Sequence, residues 1–296
     1  MDKQGIEHTK YTFSGHDSFQ CRQLWLKKGY DYLKLKKSFN DEDSVVKLGV
    51  GKNMVSAIRY WMKAFNIIDN KDQPTEFGKR LLDDKGWDPF LENDASLWLL
   101  HYQLVKTNLA STYNIIFNDF RKEKIFFTKE TFLNYLKRRR ETEPELNFNE
   151  NTVADDFVVF LKMYQGNDSS NKDVEDGFSG ILSDIELVKT IGRGKDEQYQ
   201  IENLERDKLP EEVLFYSILD NATYGNSISL NILESERNSP GTIFSLNRSG
   251  LTKMISALVE KNRSQITFTD HAGLKEFQFI NEKPDRYKIL DTYYGK

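Results

Sequence analysis

The 296-residue chain has one cysteine, four histidines and six prolines, and no apolar run long enough to span a bilayer. A single thiol, Cys21, excludes an intramolecular disulfide and a zinc site built on paired cysteines, and scattered histidines offer little else to hold a structural metal. The opening MDKQGIEHTKYTF is polar and without the apolar core of a secretory leader, so a cytoplasmic protein with no membrane contact is expected. G-x-S-x-G, H-E-x-x-H and a phosphate-binding loop are also missing. The GVGK string ending at Lys52 has Val46 where such a loop needs its first glycine and Asn53 where it needs a magnesium-binding hydroxyl; TIGRGKD fails in the same way at Lys189.

What is present is a folded composition, 38% hydrophobic and 30% charged, with room for two or three compact domains. The net charge of −4 argues against unspecific nucleic-acid binding over the whole surface. The charge is unevenly spread: the stretch through Asn66 carries about +5 and the remainder about −9.

That basic end contains DEDSVVKLGVGKNMVSAIRYWMKAFNIIDNKDQPTEFGKRLL, Asp41 to Leu82, which reads as a winged helix-turn-helix. Asp41 or Asp43 can cap a short helix carrying Val45, Val46 and Leu48, broken by Gly49 and Gly51 around a buried Val50. In the next helix Met54, Val55, Ile58, Trp61, Met62 and Phe65 recur at spacings of three and four, so they face inward. Lys52, Asn53, Ser56, Arg59, Tyr60 and Lys63 are left to face outward, a set suited to phosphates and base edges in a major groove. The polar run DNKDQPTEFG then suggests a wing. A preceding helix is expected from about Asp17, with a basic end at Lys27 and Lys28. Helix-turn-helix units also serve as protein-interaction modules, so the fold alone does not decide the partner.

From Ser111 to about Gly166 the pattern is helical, with a helix at about 111–122, one from a Thr128 cap to the Lys137–Arg140 basic run, and one over about Thr152–Tyr164. The basic run reads either as a solvated helix end or as a phosphate contact. QGNDSSNKDVEDG is the expected linker. Beyond it come a hairpin turning at Gly192 to Lys195, a helix starting near Pro210, and a helix capped by Asn247 followed by two strands joined around Gly273. This last part resembles a second winged helix whose exposed residues are Arg248, Lys253 and Ser256.

Two clusters suggest chemistry. In SGHDSFQCR, His16, Asp17, Ser18, Cys21 and Arg22 bring an acid/base, a carboxylate and a cation together, the groups a phosphodiester hydrolase uses; ordinary helix capping by Asp17 is the simpler alternative. Asp88 and Glu92 in WDPFLEN would share one face if that stretch were helical and could hold a divalent ion, or they are simply an acidic helix start. His101 and His271 are isolated and read as structural or surface residues.

The strings GHDSFQCRQLWLKKGYD, LGVGKNMVSAIRYWMKAFNII, TEFGKRLL, GWDPFLE and SLWLLHYQL, in this order, resemble a bacterial domain-of-unknown-function family found in DNA-modification and phage-defence loci, the SspB-type component of single-strand DNA phosphorothioation (Ssp) systems. The resemblance covers about the first third of the chain. It implies a DNA-nicking endonuclease that opens one strand so that sulfur can replace a non-bridging phosphate oxygen, with cysteine desulfurase and sulfurtransferase-like proteins as partners. It carries no catalytic motif onto these residues, so His16, Asp17 and Arg22 stand as the catalytic candidates, Asp88 and Glu92 as metal candidates, and magnesium or manganese as the implied cofactor.

The expected fold is mainly α with small β hairpins: a winged helix-turn-helix over 1–92, a helical middle over 93–176 and a winged-helix-like part over 177–296. The expected partners are double-stranded DNA and the other proteins of the sulfur-modification system, with a homodimer as a further expectation. The alternative is a non-catalytic DNA-binding adaptor or regulator that recruits the sulfur-transfer proteins.

Overall fold

The computed structural model describes residues 11–166, 179–271 and 273–296; the expected linker lies, from residue 167 on, outside them. The N-terminal region holds α1 (Trp25–Lys34), α2 (Ser44–Leu48), α3 (Lys52–Ala64) and α4 (Glu76–Leu82). The N-terminal region departs from the expected pattern at two places. The first helix starts at Trp25 because Asp17 and Ser18 take left-handed backbone angles, φ 45° and 64°, in a tight turn that cannot begin a helix. In α2 the five residues bury only Ser44 and Leu48, and Val46 is left 80% exposed.

Gly49 ends α2 at φ 64°, a conformation that glycine enters without strain, and the Val50 N–H bonds back to the Val45 carbonyl at 3.2 Å. This three-residue break sets α3 off at Lys52. Ile58, Trp61 and Met62 of α3, and Phe65 at its C-terminal cap, are then fully buried, as the spacing requires. A small hairpin follows: Ile68 bridges Pro74, and the Asp69 carboxylate accepts the N–H groups of Lys71 and Gln73 at 2.8 and 2.9 Å. Thr75 caps α4, and Gly78 lets that helix lie directly on the Ile67 carbonyl, where an added Cβ would stand 2.2 Å from the oxygen.

The chain continues through α5 (Asp94–Thr107), α6 (Ser111–Ile115), a π-helical turn (Ile116–Phe120), α7 (Arg121–Glu123), β1 (Phe126–Phe127), α8 (Lys129–Thr142) and α9 (Glu150–Tyr164). α5 is buried on every side from Ala95 to Val105, the mark of a central helix. α8 opens on a reciprocal Thr128–Thr131 capping box. β2 (Lys189–Ile191) and β3 (Gln198–Gln200) form the expected hairpin, and β1 joins it in the antiparallel order β1-β3-β2.

The C-terminal region comprises α10 (Glu211–Leu219), β4 (Ser227–Ser229), α11 (Leu230–Ser235), α12 (Pro240–Ile243), α13 (Arg248–Lys261), β5 (Ile266–His271), β6 (Leu274–Phe279) and α14 (Arg286–Tyr294). Asn247 caps α13 by accepting the Gly250 N–H at 2.7 Å, and the second sheet runs β4-β6-β5. The architecture is thus mainly α with two small antiparallel sheets. No described helix is long and apolar enough to cross a membrane.

Buried apolar residues from Cys21 to Leu290 form one continuous cluster. His101 on α5 sits inside it, its Nε2–H donating to the Ile243 carbonyl at 2.8 Å and its Nδ1 accepting from the Tyr164 hydroxyl at 2.7 Å. Burial holds its pKa down to about 3, so the ring is neutral. α14, unanticipated from the sequence, returns to the N-terminal region. Asp291 accepts from Arg80 and from the Trp87 indole at 2.8 and 2.9 Å, and Tyr294 stacks on Trp87 with ring planes 8° apart.

Candidate nucleic-acid interface

The start of α3 is open to solvent. Lys52, Asn53 and Ser56 are exposed, and Lys47 of α2 is exposed beside the turn. Among the described residues no carboxylate pairs with Lys47 or Lys52. Uncompensated ammonium groups next to an amide and a hydroxyl at a helix start suit phosphate and base-edge contact.

The second half of the same helix is different. Arg59 donates through Nε to Asp72 Oδ1 at 3.0 Å and through a terminal nitrogen to Oδ2 at 2.7 Å, and the Lys63 ammonium lies 3.0 Å from Oδ1. Against the burial that would raise it, hydrogen bonds from Arg59 and Lys63 hold the Asp72 carboxyl below its ordinary range. Tyr60 does not face outward. Its ring packs under Gly15, meets His16 and Trp61 edge-on at 5.6 and 5.1 Å, and its hydroxyl reaches the Leu109 carbonyl.

The SGHDSFQCR cluster is split by its turn. His16 is buried, stacked on Trp61 at 5.4 Å, and its Nε2–H donates to Asp156 Oδ1 at 2.7 Å. Asp156 also accepts from the Ser14 N–H at 2.9 Å and the Thr112 hydroxyl at 3.1 Å. Cys21 is buried too, and that burial pushes its thiol pKa up, away from a reactive thiolate. Asp17 and Ser18 point outward, while Arg22 lies over the Trp25 ring at 5.4 Å. The structure therefore does not bring His16, Asp17 and Arg22 to one exposed point. Asp156, the partner of His16, was missed because it lies 140 positions away; the one local hint is an acid on the buried face of α9.

Asp88 and Glu92 do not share a helix, since α5 begins at Asp94. Asp88 Oδ1 accepts the Glu92 N–H at 3.1 Å, and its Oδ2 accepts the Asn93 N–H at 2.8 Å and the Ser96 hydroxyl at 2.7 Å. Glu92 is exposed. A carboxylate committed to three donors beside an outward-facing acid does not fit a divalent-ion site, and no three His, Cys, Asp or Glu side chains group around an ion position among the described residues.

The Lys137–Arg140 run is spent within the chain. Lys137 pairs with Glu150 at 2.9 Å, Arg138 with Glu123, Arg139 with Asp119 at 2.8 Å and Glu143 at 2.6 Å, and Arg140 covers Phe148. Lys27 is likewise engaged, with Asp31 at 2.8 Å and Asp84 at 2.9 Å. On α13, Arg248 pairs with Glu234, Lys253 with Glu205 at 3.4 Å, and Lys261 with Glu212 at 2.9 Å, leaving Ser256 exposed between them.

A family model described as a protein of unknown function (DUF4007) matches residues 13–294. Among curated protein sequences nothing matches. Two solved structures do. An SspB crystal structure superposes with a TM-score of 0.82 and 27% identity, covering 96% of this chain and 88% of that one. A magnesium ion-bound SspB superposes with a TM-score of 0.83 and 26% identity over the same shares.

Proposed function

The chain belongs to the DUF4007 family, and from that premise we propose that it is the DNA-binding component of an SspB-type phosphorothioation and phage-defence system, nicking one DNA strand to admit sulfur. The observation that carries the DNA reading is the uncompensated start of α3, with Lys52, Asn53 and Ser56 exposed and Lys47 beside them. Within a division into 1–92, 93–176 and 177–296, the first part meets duplex DNA and the others support it or receive the sulfur-transfer proteins.

Nicking is the addition of water across one phosphodiester: water bonds to phosphorus, one P–O ester bond breaks, and the leaving oxygen takes a proton. The likeness to SspB, one example of which holds magnesium, motivates assaying it with magnesium or manganese. Asp17 is the member of the catalytic set to test, because it is a carboxylate at an exposed position, on a turn anchored by the His16–Asp156 pair. A second reading, the non-catalytic adaptor, is favoured by the burial of His16 and its commitment to Asp156.

Supercoiled plasmid incubated with the protein and either metal should yield open circles, and Asp17→Ala should slow their formation at least about tenfold without weakening binding. Binding without open circles would leave the adaptor; neither binding nor nicking would remove both readings.

A further inference from the structure

Arg59 and Lys63 lie four residues apart on α3 and converge on a single carboxylate, Asp72, from the hairpin that follows. The guanidinium presents two nitrogens to two oxygens and the ammonium shares one of those oxygens. This is the fork that arginine and lysine offer to a phosphate.

The hairpin itself does not need that carboxylate. Its turn is closed by Asp69, whose side chain takes the Lys71 and Gln73 N–H groups, by the Asp69 N–H to the Gln73 carbonyl at 2.9 Å, and by the Ile68–Pro74 bridge. Asp72 adopts φ 60°, a left-handed angle that asparagine accepts as readily as aspartate. The charge on Asp72 thus serves the two cations. All three side chains keep a path to solvent, at 34%, 20% and 18% exposure for Arg59, Lys63 and Asp72.

We propose that the Arg59–Lys63 fork is a phosphate position on the DNA face which Asp72 fills in the unbound protein and yields to the DNA backbone on docking. Asp72 is a built-in competitor that sets the affinity of the interface. Lys47 and Lys52 make the first, unobstructed contact, and the fork is taken over only by a duplex seated well enough to displace a tethered carboxylate. Such a device weakens binding to any passing anion and favours a fully docked duplex. The inference rests on the reading of α3 as the DNA face.

The test is the affinity of the full chain for a fluorescent duplex two helical turns long, measured across salt concentrations. Asp72→Asn keeps the side-chain shape and removes the charge. It should bind about five times more tightly, and its plot of log affinity against log salt should steepen by about one. Adding Lys63→Gln to Asp72→Asn should cancel the gain. A melting curve accompanies each variant, and Asp72→Ser carries the same expectation should the asparagine variant melt early. Unchanged or weaker binding by both Asp72 variants would overturn the proposal. If the wild type does not bind, or Lys52→Glu leaves binding intact, the DNA-face reading fails instead.

Discussion

α3 and α13 are helices of similar length that each precede a small antiparallel element and carry cations on an outward row, yet their surroundings differ. Around α13 the chain supplies Glu205, Glu211, Glu212 and Glu234, so Arg248, Lys253 and Lys261 all find a carboxylate. Among the described residues no carboxylate pairs with Lys52 at the start of α3, and Asp72 answers only the helix's second half. Exposed ion pairs stabilise a fold by about 0–1 kcal/mol each, so these differences matter little for folding. They decide where an anion is welcome. A helix that looks cationic in the sequence is an open anion site where the rest of the fold leaves it unanswered, and where a carboxylate answers it an anion must displace that carboxylate.

Reversing charge on the two helices has the largest expected effect. Lys47→Glu with Lys52→Glu should lower affinity for duplex DNA by about two orders of magnitude, while Arg248→Glu with Lys253→Glu should change it less than about threefold, as titrations at fixed salt will show. Equal losses would erase the distinction between the helices.

A smaller effect sharpens the role of the hairpin. Gly78→Ala puts a Cβ against the Ile67 carbonyl, which is backbone and cannot swing aside. Unfolding free energy should drop by about 1–3 kcal/mol in urea titrations. DNA affinity should rise toward that of Asp72→Asn, because the hairpin that holds the competing Asp72 on Arg59 and Lys63 is displaced. Wild-type stability in this variant would mean that α4 does not fix the hairpin.

The smallest expected effect concerns the core that joins the two regions. His101 stays neutral in the fold down to about pH 3, whereas the unfolded chain takes up its proton below about 6.5. The unfolded state therefore binds more protons between those values, and stability falls as pH drops through that window, by up to about 1.4 kcal/mol per unit for this one group. His101→Gln should show a shallower fall between pH 6.5 and 5 than the wild type. Parallel curves would show that another group carries the acid sensitivity.

Much of the fold is legible where its cause is local. The three- and four-residue spacing of α3, the Thr128 start of α8, the Asn247 cap of α13 and the Gly273 turn between β5 and β6 all follow from neighbours in sequence. What could not be read is set across the chain. Tyr60 sits at an outward helical position but is drawn beneath the N-terminal lead by Gly15 and His16. His16 reads as a surface acid/base until Asp156 takes it inside. α14 has too little periodicity to stand out, and its role depends on Arg80 and Trp87 two hundred residues earlier. The cations of α3 and α13 look alike because their carboxylate partners belong to other elements.

The most direct test of the contrast is photo-crosslinking to duplex DNA from a benzoylphenylalanine placed in turn at Asn53 on α3 and at Ser256 on α13, both exposed positions. A covalent DNA adduct is expected from position 53 and none above background from position 256. An adduct from 256 with none from 53 would contradict that contrast.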